Sequence, residues 1–365
     1  MIFISIILYT LGLLATYYLL AKVCDEYFVG SLEKISNRFK LPDDVNGATF
    51  MAIGTSAPEF FTAIVALTKI GSENVGVGTI VGSALFNLLV IIGAVSVIKS
   101  ITLKWQSITR DLIFYAIGLI ILLLTFVDGV ITLTEASYFL IAYASYLGVL
   151  FIWKKWFPKS DFKDELPLIQ EQAKELEKKV SKEKSIIGKT LEMLDKALRK
   201  TFPDLRRYPR LFGVTFVISI FYIVILSWSL VELAVGLAET LQIPQAIVAL
   251  TVLAAGTSVP DLLASIFVAR KNSGDMAVSN AIASNTFDVM IGIGLPWLTY
   301  IIITQQPLTV SNENIYTPIV ILLASVIGLF LLMMFNKFKI NKLIGYSMII
   351  IYLVFMTYQV TSSLL

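Results

Sequence analysis

Long apolar runs follow one another along this chain, each about as long as a helix that crosses a bilayer, with short polar stretches between them. Ten can be delimited: residues 1–21, 45–68, 75–98, 111–127, 133–153, 211–238, 244–269, 276–303, 317–335 and 341–363. A membrane barrel would instead need segments of about ten residues that alternate apolar and polar. The expected fold class is therefore all-α and polytopic, with ten transmembrane helices. The first run has no Lys or Arg before it and exceeds a signal-peptide core in length, so it reads as a retained helix.

Residues 154–210 interrupt the apolar pattern with 16 basic and 10 acidic side chains. They divide the chain into a first block of five spans (1–153) and a second block of five (211–365). Within the linker, Leu176, Val180, Ile187, Leu191, Leu194 and Leu198 recur at helical spacing between Pro167 and Pro203, which predicts an amphipathic helix lying on the membrane surface. No EF-hand ligand series is present, and the linker is short for a sensor domain.

Composition agrees with a life in lipid: of 365 residues 57% are apolar and 15% charged, a balance that no water-soluble domain of this size carries. The single cysteine, Cys24, has no internal disulfide partner, and with no histidine in the chain every imidazole base, shuttle or metal ligand is excluded. Basic residues collect in cytoplasmic loops. With both termini outside, 28 of the 29 Lys and Arg residues fall on the linker side and only Lys69 on the other. The expectation is an integral protein of the cell membrane with residues 154–210 in the cytoplasm. Membrane lipid is its surrounding partner, and the sequence points to no nucleic acid and no obligatory protein partner.

The two blocks share a motif. A48-T-F-M-A-I-G-T-S-A-P-E59 aligns with L250-T-V-L-A-A-G-T-S-V-P-D261 at an offset of 202, with six of twelve positions identical. After a one-residue gap, G82-S-A-L-F-N87 aligns with A283-S-N-T-F-D288. Five spans separate the copies, so the second and seventh spans run in opposite directions. The blocks are expected to be inverted repeats with the substrate held near mid-membrane between them.

Glu59 and Asp261 fall near the middle of their spans, where an unpaired charge costs at least about 2.5 kcal/mol. No Lys, Arg or His of the facing spans is available to meet them, which leaves a bound cation. Each acid follows a proline, which removes one backbone donor and frees the carbonyl of Gly54 or Gly256. The Thr55-Ser56 and Thr257-Ser258 hydroxyls stand beside those carbonyls. Carboxylate, hydroxyl and carbonyl oxygens together suit a hard cation such as calcium, whereas the sulfur and imidazole that softer metals prefer are missing. The second motif pair adds Ser83 and Asn87, then Ser284, Asn285 and Asp288. If all three acids ionise, their charge matches one calcium and one monovalent cation; with Asp288 protonated it matches calcium alone. The residues leave both open. Gly78 and Gly82 form a G-x-x-x-G pair expected to pack the second and third spans together.

The stretches G47-A-T-F-M-A-I-G-T-S-A-P-E59, N74-V-G-V-G-T-I-V-G-S-A-L-F-N87, V268-A-R-K-N-S-G-D-M-A-V278 and S284-N-T-F-D288 resemble the two alpha-repeats of the cation/calcium exchanger superfamily, and within it those of the potassium-dependent sodium/calcium exchangers. The likeness covers about 90 residues closely; elsewhere only the hydrophobic layout and the central linker agree. It implies a sodium/calcium antiporter of ten helices in two inverted repeats, working by alternating access and needing no cofactor. It also implies that Glu59 and Asp261 are shared by calcium and sodium, with Ala52, Thr55, Ser56, Ala254, Thr257 and Ser258 around them. Ser83, Asn87, Ser284 and Asp288 would complete the sodium sites. An aspartate in the place of Asp288 is associated with potassium, the third ion to weigh. Ala283 departs from the glycine usual before Ser-Asn.

Three other classes have distinct signatures. Proton-coupled calcium exchangers usually carry an Asn-Ala-Val-Glu form of the first motif, which this chain lacks. An intramembrane aspartyl protease built on Asp261 and Asp288 would leave Glu59 and the first block without a role, and cleavage of a membrane peptide without a sodium gradient would reveal it. A channel would pass a continuous current without a counter-ion.

Overall fold

The computed structural model describes residues 2–39, 52–69, 73–156, 186–203, 209–270, 274–311 and 314–364, and nearly all of them are helical. Among the described residues nine helices are long and apolar enough to cross a bilayer. They coincide with nine of the ten expected runs. The other run, the second, contributes a four-residue helix, Ala52–Thr55, and a twelve-residue one, Ala57–Thr68; its first part, 45–51, lies outside the described residues.

The first span is longer than its apolar run. Ile2–Lys22 continues through a π-helical turn, Val23–Phe28, into Val29–Phe39 without a break. Lys22, Asp25 and Glu26 end the hydrophobic run at the sequence level. In the folded chain Lys22 is buried, 3.4 Å from Glu26 one turn on and 3.0 Å from Asp195, so its charge is met without ending the helix.

Asp195 belongs to the linker helix Ile186–Thr201. The amphipathic helix expected there exists, although residues 157–185 lie outside the described residues. It is not simply laid on a membrane surface. Asp195 also accepts the Tyr18 hydroxyl at 2.8 Å, and Phe202 stacks on Tyr27 of the first span at 3.8 Å between centroids and meets Tyr222 of the sixth. One end of the linker is thereby fastened to the first and sixth spans.

Burial sorts the helices into layers. In the third span, Asn74–Ile98, 83% of the most apolar window is buried, against 17% in the first. The third and eighth spans form the centre, and Phe3, Leu8, Leu14, Phe221 and Leu353 of outer spans are exposed, as lipid contact demands. Two apolar clusters fill the interior. One joins the third and eighth spans to the fourth, fifth, ninth and tenth through side chains such as Leu85, Leu119, Phe139, Val289, Leu322 and Met348. The other joins the first and sixth spans to the second and seventh through Leu20, Ala66, Leu230 and Val248.

Four two-residue strands tie the ends of the bundle. β1 (Ile101–Thr102) pairs antiparallel with β4 (Lys339–Ile340), and β2 (Val130–Ile131) with β3 (Leu308–Thr309). Each ribbon joins a connection of the first block to one of the second.

The glycine pair of the third span serves a different neighbour from the one expected. Gly82 lies against the Leu250 carbonyl, and a Cβ there would stand 2.6 Å from the Ala254 Cβ; one on Gly78 would stand 3.0 Å from the Ala249 Cβ. Both therefore admit the seventh span. The second span is met by Gly76, where a Cβ would come within 2.9 Å of the Ala63 Cα.

Candidate functional site: an oxygen-lined centre between the two blocks

The first motif breaks its helix. Ser56 lies at φ −91°, ψ 7°, between Ala52–Thr55 and Ala57–Thr68, and Pro58 occupies the second position of the new helix, where its missing N–H costs nothing. Glu59 therefore sits in the first turn of a helix, the end that favours negative charge, and is 3% exposed. The second motif is arranged differently. Pro260 lies inside a continuous helix, Ala254–Arg270, and the irregular turn comes earlier, as the π-helical Ala249–Leu253. Asp261 is half-buried.

The second motif pair also carries π-helical turns: Phe86–Ile91 contains Asn87, and Asp288–Ile293 begins with Asp288. Such turns widen a helix and recur at functional sites. Asn87 and Asp288 are both 2% exposed.

These elements bring the expected residues together across the two blocks. Thr55 and Ser284 share a hydrogen bond of 3.1 Å between hydroxyls. Asn87 donates to the Asn285 Oδ1 at 3.0 Å. The Thr257 hydroxyl lies beside Glu59, and Ser56 lies beside Asp288, short of a geometry that makes a hydrogen bond. Glu59, Asp261 and Asp288 feel one another's charge. They do not converge as a ready-made chelate: among the described residues no three acidic or sulfur-bearing side chains gather closely enough to hold a metal by themselves. The Ala52 carbonyl already accepts the Ser56 N–H at 2.9 Å, and the Ala254 carbonyl accepts the Thr257 hydroxyl at 3.2 Å. Ser83 bonds the Ile80 carbonyl of its own helix.

Oxygen without a partner gathers at the centre: of nine such buried side-chain oxygens among the described residues, five belong to the motif pairs, and Asn74, Ser227 and Tyr352 hold single ones elsewhere. Ser56 Oγ, Glu59 Oε2, Asn87 Oδ1, Ser258 Oγ and Asp288 Oδ1 are buried and unpartnered, and each such atom costs about 1–3 kcal/mol when left so. All five come from the two motif pairs.

Two further residues reach the centre, and Asn285 takes a different part from that of a ligand. The Thr62 hydroxyl, buried and unpartnered, stands one turn beyond Glu59, a spacing visible in the sequence. Asn285 acts as a staple, donating to the Ala84 carbonyl at 3.0 Å. Asp25 of the first span lies within electrostatic reach of Asp261; only the true length of that span reveals it.

Comparisons with known proteins agree with this architecture. The family described as sodium/calcium exchanger protein matches residues 9–152 and 211–361. Sodium/potassium/calcium exchanger 2 of Gallus gallus is 29% identical, over 98% of this chain and 77% of its own. Sodium/potassium/calcium exchanger 5 of Homo sapiens is 31% identical, over 96% and 82%. Among solved structures, the H+/Ca2+ exchanger CAX superposes with a TM-score of 0.65 at 14% identity, over 97% of this chain and 81% of that one. The sodium-calcium exchanger NCX_Mj, soaked with zero Na+ and Ca2+, superposes with a TM-score of 0.54 at 21% identity, over 95% and 97%. At these identities the structural likeness speaks for the fold.

Proposed function

Since the chain belongs to the sodium/calcium exchanger protein family, we propose that it exchanges sodium for calcium across the cell membrane by alternating access, as a transporter and not an enzyme. The observation that carries this reading is the set of five unpartnered buried oxygens drawn from both blocks. A dehydrated hard cation satisfies such atoms, and nothing softer suits them.

In this reading calcium and sodium compete for the oxygens around Glu59 and Asp261, with Thr55, Ser56, Thr257 and Ser258 beside them and the carbonyls of Ala52 and Ala254 behind. Ser83, Asn87, Ser284 and Asp288 complete the sodium positions. Potassium travels with calcium, a reading that the names of the sodium/potassium/calcium exchangers support, and its place in this reading is the extra carboxylate, Asp288. The ten spans form two inverted repeats, 1–153 and 211–365, with both termini outside and the linker in the cytoplasm. The two antiparallel ribbons support this pairing, because exchanging each connection for its counterpart in the other block, β1 for β3 and β2 for β4, turns one ribbon into the other. The first and sixth spans slide against the rest to expose the centre to either side.

The test is calcium uptake into vesicles holding the purified protein. An outward sodium gradient drives uptake, and removing external potassium reduces it in the wild type but not in Asp288→Asn. Uptake driven equally by a proton gradient with no sodium present would overturn the assignment of the counter-ion.

A further inference from the structure

The first span touches both acidic motifs, and each time it does so at the motif's first glycine. Val29 packs on Gly54, where a Cβ would stand 2.8 Å from the Val29 Cγ2. Tyr17 lays its ring on Gly256, leaving no room for a methyl group. Its hydroxyl then donates to the carbonyl of Val252 at 3.0 Å, within the π-helical turn that precedes the second motif. The two seats are twelve residues apart on one helical rod, about 18 Å at 1.5 Å per residue.

The two seats differ in kind. Val29 makes a dispersion contact that tolerates small displacements. Tyr17 makes a directional hydrogen bond, which is lost once donor and acceptor separate by little more than about 0.5 Å beyond 3 Å. A slide of the first span by even a fraction of a helical turn, about 5.4 Å, breaks it. The bond therefore exists in one position of the span and not in another, and it is made to the helix that carries Asp261.

We propose that Tyr17 is a positioning residue for ion exchange: through Gly256 and the Val252 carbonyl it holds the first span against the second acidic motif in one access state, and it lets go in the other. This rests on the alternating-access reading given above. It assigns Gly256 a role apart from its carbonyl, since a glycine is required there by the ring that covers it.

The consequences are specific. Tyr17→Phe keeps the ring and deletes the hydrogen bond, so it disfavours one of the two states without touching an ion ligand. The calcium concentration for half-maximal exchange then rises on one face of the membrane and falls on the other, each by about two- to tenfold. A residue that merely stabilises the fold would lower the amount of active protein and leave both half-saturation values in place. Gly256→Ala pushes the ring aside and reproduces the sidedness of Tyr17→Phe. In a Tyr17→Ala background, where no ring remains to displace, Gly256→Ala has little further effect on exchange.

The experiment is sided calcium exchange in oriented vesicles for wild type, Tyr17→Phe, Tyr17→Ala, Gly256→Ala and the Tyr17→Ala/Gly256→Ala pair, with melting temperatures of each in detergent. The melting temperature reads the fit of ring to glycine whether or not ions move, and the double variant is expected to melt no lower than Tyr17→Ala. Equal shifts on both faces, no shift in Tyr17→Phe, or an undiminished effect of Gly256→Ala in the Tyr17→Ala background would each overturn the proposal. Wild-type vesicles that take up no calcium on a sodium gradient would instead overturn the reading on which it rests, with the melting temperatures still deciding the contact.

Discussion

The side-chain amide of Asn285 donates to the backbone carbonyl of Ala84 at 3.0 Å, and Ala84 is the residue that occupies the place of Asn285 in the other copy of the repeat. In the inverted-repeat arrangement proposed above, residues equivalent in the two copies touch each other where the axis relating the copies runs. The contact joins the third and eighth spans beside the polar groups of the centre.

Asn285→Leu leaves the Ala84 carbonyl without its side-chain donor and the Asn87 amide without its acceptor. The expected loss is about 1–2 kcal/mol, read as a lower melting temperature of the purified protein, with Asn285→Asp recovering only the bond from Asn87. Unchanged melting of Asn285→Leu would show that the staple contributes nothing.

Glu59→Gln and Asp261→Asn remove charge while keeping shape. Both are expected to abolish sodium-driven calcium uptake with normal expression and an unaltered elution profile. Near-normal exchange in either variant would remove that acid from the centre.

This part of the molecule was legible in the chain itself. Two acids inside apolar runs, each behind a glycine and a proline, state their cost in the sequence, and the duplication states that they belong together. Other features were hidden for physical reasons. Lys22, Asp25 and Glu26 look like the end of a span because hydropathy counts charges singly, whereas Lys22 is neutralised by a residue 173 positions away. A G-x-x-x-G pattern announces close packing but carries no address, so Gly82 was expected against the second span and is found against the seventh. π-helical turns leave no signature in apolar periodicity. Nor does the sequence tell that the first motif breaks its helix while the second does not, since both contain the same proline.

Gly82 supplies a steric test. A methyl group there meets the Leu250 main-chain oxygen, which has no rotamer to change. Gly82→Ala is expected to cost at least about 1–3 kcal/mol by overpacking, seen as reduced yield and a lower melting temperature, and Gly148→Ala, with open space around it, to melt as the wild type.

The linker attachment is tested by charge. Asp195→Ala takes from buried Lys22 its ion pair at 3.0 Å and leaves the longer one to Glu26 at 3.4 Å, and breaking such a buried pair costs up to about 3–5 kcal/mol. The linker helix then comes away, which faster tryptic cleavage between the two blocks reports. The double change Lys22→Met/Asp195→Leu removes the stranded charge and is expected to restore protection; continued rapid cleavage would show that the ion pair is not what fastens the helix.

The two short ribbons bear on what is free to move. Through β1 with β4 and β2 with β3, the connections flanking the third, fourth, fifth, eighth, ninth and tenth spans are laced across the blocks. Six helices become a stator, clamped at its ends, and relative motion within it is suppressed. The first, second, sixth and seventh spans carry no lace among the described residues. Whatever load the ions place on the acids of the second and seventh spans therefore falls on helices that no ribbon holds.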